Sequence, residues 1–160
     1  MTMSPSQNTT DFVPYDETAK RALVCDTDAA AQKFLTAAMT SLGFRPDLAT
    51  SIDELAENVK YNQYDIVVVS ENFSVNPKGE NDAVGFFLEL PSGVRRKILV
   101  ILYGPSLNTL DNMTAYGLGV NVVINTRDMQ SFLSIAGKAY TENERFFRTM
   151  NQMYSLAGKS

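Results

Sequence analysis

Short runs of apolar residues alternate with longer segments in which apolar positions recur every three or four residues, and this double period governs the chain from Arg21 onward. The apolar runs are ALVC (22–25), DLAT (47–50), IVVV (66–69), ILVIL (98–102) and NVVI (121–124). Those at 66–69 and 98–102 contain no polar residue, which predicts strands buried on both faces. The run at 47–50 is the most polar and predicts an edge strand. Five strands separated by helix-length segments predict a parallel sheet covered on both sides. Right-handed crossovers then give an α/β, three-layer, flavodoxin-like sandwich.

The intervening segments carry the stripes such helices need. Ala30, Phe34, Leu35, Ala38, Met39 and Leu42 form the first, stopped by Gly43; Ile52, Leu55, Ala56 and Val59 form the second behind Ser51, with Glu54 completing a capping box. A short third helix is expected around 83–90, before Pro91, and a fourth at about 107–116 that turns Leu110, Met113 and Tyr116 to the sheet. From Asp128, the residues Met129, Phe132, Leu133, Ile135, Ala136, Ala139 and Tyr140 suffice for the last covering helix. Beyond it, Thr141 with Glu144 offers another capping box, and Phe146, Phe147, Met150, Met153 and Tyr154 make a second apolar stripe. Either the helix continues or a new one starts, and its stripe packs back on the domain or binds a partner. Three regions result: an arm at 1–19 of disorder-prone composition, a domain at 20–140 and a helical extension at 141–160.

Composition then removes whole classes of chemistry. The 160 residues are 44% apolar, enough for one domain with a sizeable core. No histidine is present, which excludes Ser-His-Asp and Cys-His catalysis, histidine-ligated metals and a phosphohistidine carried by this chain. The single cysteine, Cys25, forms no internal disulfide and lies in an apolar run, as a buried, unreactive thiol does. A net charge of −4 with one tight basic group, Arg95, Arg96 and Lys97, argues against nucleic acid; that group reads as a solvated loop. No run is long enough to span a membrane and the first residues do not resemble a signal peptide, so a cytoplasmic protein is expected.

In open α/β sheets ligands bind beyond the carboxyl ends of the strands. The residues there are Asp26, Thr27 and Asp28 after the first run, Ser70 and Glu71 after the third, Tyr103 after the fourth and Asn125 after the fifth. With YDIVVVSENF (64–73), the spacing from Asp26 to Gly43 and the first-helix pattern, they make residues 20–140 resemble the receiver domain of response regulators, the CheY-like family. The resemblance implies strand order 2-1-3-4-5. Receivers place an acidic pair after strand one, the phosphorylated aspartate after strand three, Ser or Thr after strand four and lysine after strand five. Carried over, Asp26 keeps the first acid, Thr27 replaces the second with Asp28 following, Ser70 replaces the acceptor, Tyr103 the small hydroxyl residue and Asn125 the lysine. A shift by one to Thr126 still supplies no lysine.

These replacements imply a pseudo-receiver. A serine hydroxyl is barely ionised at neutral pH and has no local base here. Magnesium prefers several hard oxygen ligands, and Asp26 and Asp28 alone are placed to offer carboxylates, so no cofactor beyond weakly held Mg²⁺ is expected. Glu71 is the remaining carboxylate, yet strand alternation turns it away from Ser70 towards solvent or loop pairing. Tyr103 either fills the emptied pocket or serves as core packing. The long 70–85 connection, with Asn72, Asn76, Pro77, Gly79 and Asn81, is a recognition surface or a tolerated insertion.

The resulting expectation is a non-enzymatic, non-phosphorylatable receiver acting as a protein-interaction module in two-component or phosphorelay signalling. Its partners are other signalling proteins or a second copy, through Tyr116, Phe146, Phe147, Met150, Met153 and Tyr154. The alternatives are residual Mg²⁺-dependent phosphoryl acceptance, or a small-molecule sensor lined by Asp26, Asp28, Tyr103 and the long loop.

Overall fold

A computed structural model describes residues 19–158. The expected arm at 1–19 therefore lies outside the described residues except for Ala19. The elements in chain order are β1 (Arg21–Cys25), α1 (Ala29–Ser41), β2 (Arg45–Ala49), α2 (Ile52–Tyr61), β3 (Ile66–Ser70), α3 (Asp82–Leu88), a single turn α4 (Ser92–Arg95), β4 (Leu99–Gly104), α5 (Asn112–Leu118), β5 (Val122–Asn125), a 3-10 segment (Thr126–Ser131) and α6 (Phe132–Gly158). The strands form one parallel sheet in the order β2-β1-β3-β4-β5. This is the three-layer flavodoxin-like sandwich that the alternating pattern predicts.

Both faces of the sheet are buried, which explains the unbroken apolar runs of β3 and β4. One core contains Leu23, Cys25, Val67, Val69, Val100, Leu102 and Val123 with Leu55 of α2, Phe87 of α3 and Ala115 of α5. The other contains Ala22, Val24, Ile66, Val68, Leu99, Ile101, Tyr103 and Ile124 with Leu35 and Met39 of α1 and Phe132 and Ala136 of α6. Cys25 is fully buried, and its thiol pKa is driven upward mainly by desolvation, so it is a core residue without thiolate character. β2 lies at the edge, where Pro46 is tolerated near the start of the strand.

Several expected packing faces differ. Leu110, Met113 and Tyr116 are 56, 79 and 85% exposed and do not face the sheet. The helix starts later than predicted, behind Asp111, whose carboxylate accepts from the N–H groups of Met113 and Thr114; the shortened helix buries Ala115 instead. Leu110 precedes it with φ of 63°. Phe34 is 45% exposed, its ring meeting Phe132 edge-on at 6.5 Å. Arg95 is not a solvated loop residue: its guanidinium donates to the carbonyls of Ile98 and Gly119 and to Asn121 Oδ1, tying α4 to the entry of β5.

Of the two alternatives at Thr141, continuation of the helix is observed. α6 runs unbroken for 27 residues, and its fully buried positions, Phe132 and Ala136, both lie in its first turns. Among the described residues no helix is long and apolar enough to cross a membrane.

Candidate functional site at the strand ends

Parallel register places the expected site residues in one row. Cys25 pairs with Val69, so Asp26 continues beside Ser70; Ser70 pairs with Tyr103, and Tyr103 with Ile124. Strand alternation puts Asp26, Ser70 and Tyr103 on the face that packs under α1 and α6. The row is thus acid, hydroxyl, phenol, with an aliphatic residue at its β5 end.

Asp26 is 3% exposed. Its Oδ1 accepts the N–H of Asp28 at 2.9 Å, while among the described residues no donor reaches the buried Oδ2. Desolvation raises its pKa; the N–H groups of Asp28 and Thr27 pull the other way, and the charge of Asp28 adds to the rise. Asp28 is committed elsewhere: it is the N-cap of α1, with Oδ2 accepting the N–H of Ala31 at 2.8 Å. Thr27 is exposed. Ser70 Oγ accepts from the N–H of Asn72 at 3.3 Å. Tyr103 is 7% exposed and packed in the core between β3 and β5.

Asn125 is not an open pocket residue. It is buried, donates through Nδ2 to the carbonyls of Leu107 at 2.6 Å and Pro105 at 3.3 Å, and accepts the N–H of Arg127 at 2.8 Å. Its own N–H donates to Thr109 Oγ1, which in turn bonds Asp128. The loop between β4 and α5 is therefore sewn to the end of β5.

The same loop is held from the other side by Glu71. The N–H of Glu71 donates to the carbonyl of Tyr103 at 2.7 Å, extending the β3–β4 ladder by one residue. Its carboxylate accepts both the N–H and the hydroxyl of Ser106. The side chain lies across Gly104, where any Cβ would collide with Glu71 Oε1 and Cβ, so the glycine is needed for close approach. Of the alternatives open to Glu71, loop pairing is observed. Neither Asn125 nor Gly104 carries a sequence signal for these contacts; only the register between β4 and β5 brings them together.

The long β3–α3 connection is folded on itself. Phe73 anchors it at 1% exposure, Val75 bridges Asn81, and Asn76 Oδ1 accepts from the N–H groups of Lys78 and Glu80. Asn81 caps α3 and donates to the carbonyls of Ser70 and Glu71.

The weakly held Mg²⁺ that the resemblance allows would require several convergent oxygens. Here Asp26 Oδ2 is the one uncommitted carboxylate oxygen in the row, Asp28 caps α1 and Ser70 offers a neutral hydroxyl. Among the described residues no group of three or more Asp, Glu, His or Cys side chains is arranged for a metal. The donor set does not fit that ion.

The solved structure of HP1043, an orphan response regulator of H. pylori, is similar over 78% of this chain and 99% of its own, at 15% identity and a TM-score of 0.59. The beryllofluoride-activated NtrC4 receiver domain dimer is similar over 77% and 98%, at 19% identity and 0.60. A receiver domain protein of Methanospirillum hungatei covers 80% and 98%, at 14% and 0.62. The fold is that of receiver domains. No family model and no curated protein matches the sequence. With identities this low the likeness concerns the fold, and the receiver fold here carries Ser70 where the resemblance places the acceptor. A cavity of about 860 Å³ lies at the opposite end, at the strand starts, and Asp26, Asp28 and Tyr103 do not line it.

Proposed function

We propose that this protein is a receiver-fold interaction module that signals in a two-component-type pathway of the cytoplasm without being phosphorylated and without being an enzyme. The observation that carries this reading is the row Asp26, Ser70, Tyr103, Ile124. It offers one carboxylate, no acceptor aspartate and no cation at its β5 end, where Asn125 is saturated by loop contacts. Phosphoryl transfer needs a nucleophile with a charge-compensated leaving path, and a neutral hydroxyl beside a buried acid supplies neither.

Two further features support a binding role. The β4–α5 loop is held in one arrangement by Glu71 from β3 and by Asn125 from β5, so no occupant of the crevice is required to order it. The second half of α6 extends past the body with apolar side chains at its surface. Exposed apolar patches of this kind mark interaction sites.

Intact-protein mass after incubation with Mg²⁺ and acetyl phosphate or beryllofluoride tests the reading, in the native chain and in Ser70→Ala and Glu71→Gln. Unchanged mass and no bound beryllofluoride are expected. A stoichiometric, Mg²⁺-dependent adduct that one substitution abolishes would overturn the reading and identify the acceptor.

A further inference from the structure

α6 changes environment along its length. Ala136 is fully buried, and Tyr140 meets Phe44 edge-on at 5.1 Å with Lys20 Nζ 4.9 Å from its centroid. Beyond that point Phe146, Met153 and Tyr154 are 57, 64 and 57% exposed. Ala136, Tyr140, Asn143, Phe147, Met150 and Tyr154 succeed one another at alternating steps of four and three, so the stripe that fastens the helix to the body runs on past its edge. Phe146 and Met153 widen it on one side, giving the broad apolar face of a helix that packs on other helices.

The direction of this face restricts what can cover it. It is the face that looks at the sheet, and a four-three stripe drifts by only about 20° per heptad on a straight helix. Its continuation therefore looks into the space beneath the strand starts. A second copy pairing in parallel would carry its own body at the height of Ala136 and Tyr140, into the volume the first body fills. Antiparallel pairing puts the second body at the far end, beyond Gly158, with about 22 Å of helix shared.

Given the interaction-module reading above, on which this rests, we propose that the partner of α6 is α6 of a second copy, antiparallel and related by a two-fold axis near Met150. Each helix end then reaches the cavity at the other copy's strand starts. The walls of that cavity include Lys60 and Lys97, which complement the carbonyl end of a helix, and Tyr61 and Val94, which are 69% and 46% exposed. Phe146, Met153 and Tyr154, with half-buried Phe147 and Met150, offer on the order of 500 Å² per copy. The total of roughly 1,000 Å² reaches the lower range of specific interfaces, and the contact is isologous and closed.

Sedimentation of the full chain from about 1 to 200 μM, the range suited to an interface this small, should show a monomer–dimer equilibrium. Met150→Asp should weaken it at least about tenfold with an unchanged circular dichroism spectrum. Orientation is read from disulfides, because Cys25 is buried and silent. Oxidising a mixture of Asn143→Cys and Ala157→Cys chains should give the mixed dimer, whereas either alone, like Arg148→Cys on the opposite side, should stay unlinked. A monomer throughout the range, or self-linked Asn143→Cys, overturns the assignment. So does a full chain that dimerises only after residues 1–18 are removed, which would give the face to that segment. None of these substitutions touches Ser70, so the association and labelling experiments fail independently.

Discussion

The strand ends and the outer half of α6 use their side chains in opposite ways. At the strand ends the polar groups are consumed inside the molecule: Asp28 caps α1, Asn125 and Glu71 hold the β4–α5 loop, and Asn81 closes the β3–α3 loop. Among the described residues Asp26 Oδ2 is the buried oxygen at these strand ends without a partner, and Thr27 beside it is exposed. Along α6 beyond Tyr140 it is apolar groups that remain at the surface, Phe146, Met153 and Tyr154 among them. A crevice whose polar groups already have partners gains little from a new ligand. An exposed apolar stripe gains the transfer free energy of whatever area a partner covers. The difference is what the proposed binding role rests on: apolar area left at the surface of the helix, and polar groups used for structural order at the strand ends.

That contrast can be broken most strongly at Asn125. Asn125→Ala leaves the carbonyls of Pro105 and Leu107 and the N–H of Arg127 without their partner, and a loss of about 3 kcal/mol is expected from urea unfolding. A loss under about 1 kcal/mol would show that water reaches these groups and that the loop is not held from β5.

Gly104→Ala pushes a methyl group into Glu71 and should cost about 1–3 kcal/mol. Glu71→Gly removes every side-chain atom the methyl group would meet, the Cβ included, together with the Ser106 contact. The double variant should consequently be more stable than the sum of the single losses, and strict additivity would contradict the close approach.

Asp26→Asn sharpens the contrast at the unpartnered oxygen. Burial raises the carboxyl's pKa above the ordinary Asp value, so its contribution to stability is fully present at acid pH and is lost as pH rises through the folded-state value. The variant cannot ionise and should gain relative to the native chain between pH 4 and pH 7, by about 1 kcal/mol in paired urea melts. A difference that stays constant with pH would mean that Asp26 is ionised without penalty.

The smallest effect is expected on the helix. Phe146→Ser should change unfolding free energy by less than about 0.5 kcal/mol at concentrations where the chain is monomeric. A larger loss there would show that the side chain packs on its own body.

The strand runs and the stripes of α1 and α2 were legible because a doubly covered sheet requires them, and the residues at 66–69 and 98–102 admit little else. Asp26, Ser70 and Tyr103 were legible as strand-end positions for the same reason. The faces of the short helices were not. α5 has seven residues, and Asp111 as its cap decides the phase that buries Ala115 instead of Met113 and Tyr116. Pattern reading has too few turns to settle such a phase.

The sequence by itself determined the layered α/β fold, the absence of histidine chemistry and the serine that ends β3, since each depends on residue type or on periodicity along the chain. Tertiary structure alone decided that Glu71 lies across Gly104 to Ser106, that Asn125 is saturated and that the stripe of α6 runs on into the space below the strand starts. Those are relations between segments distant in sequence, set by sheet register and by where the body ends, and no local pattern encodes them.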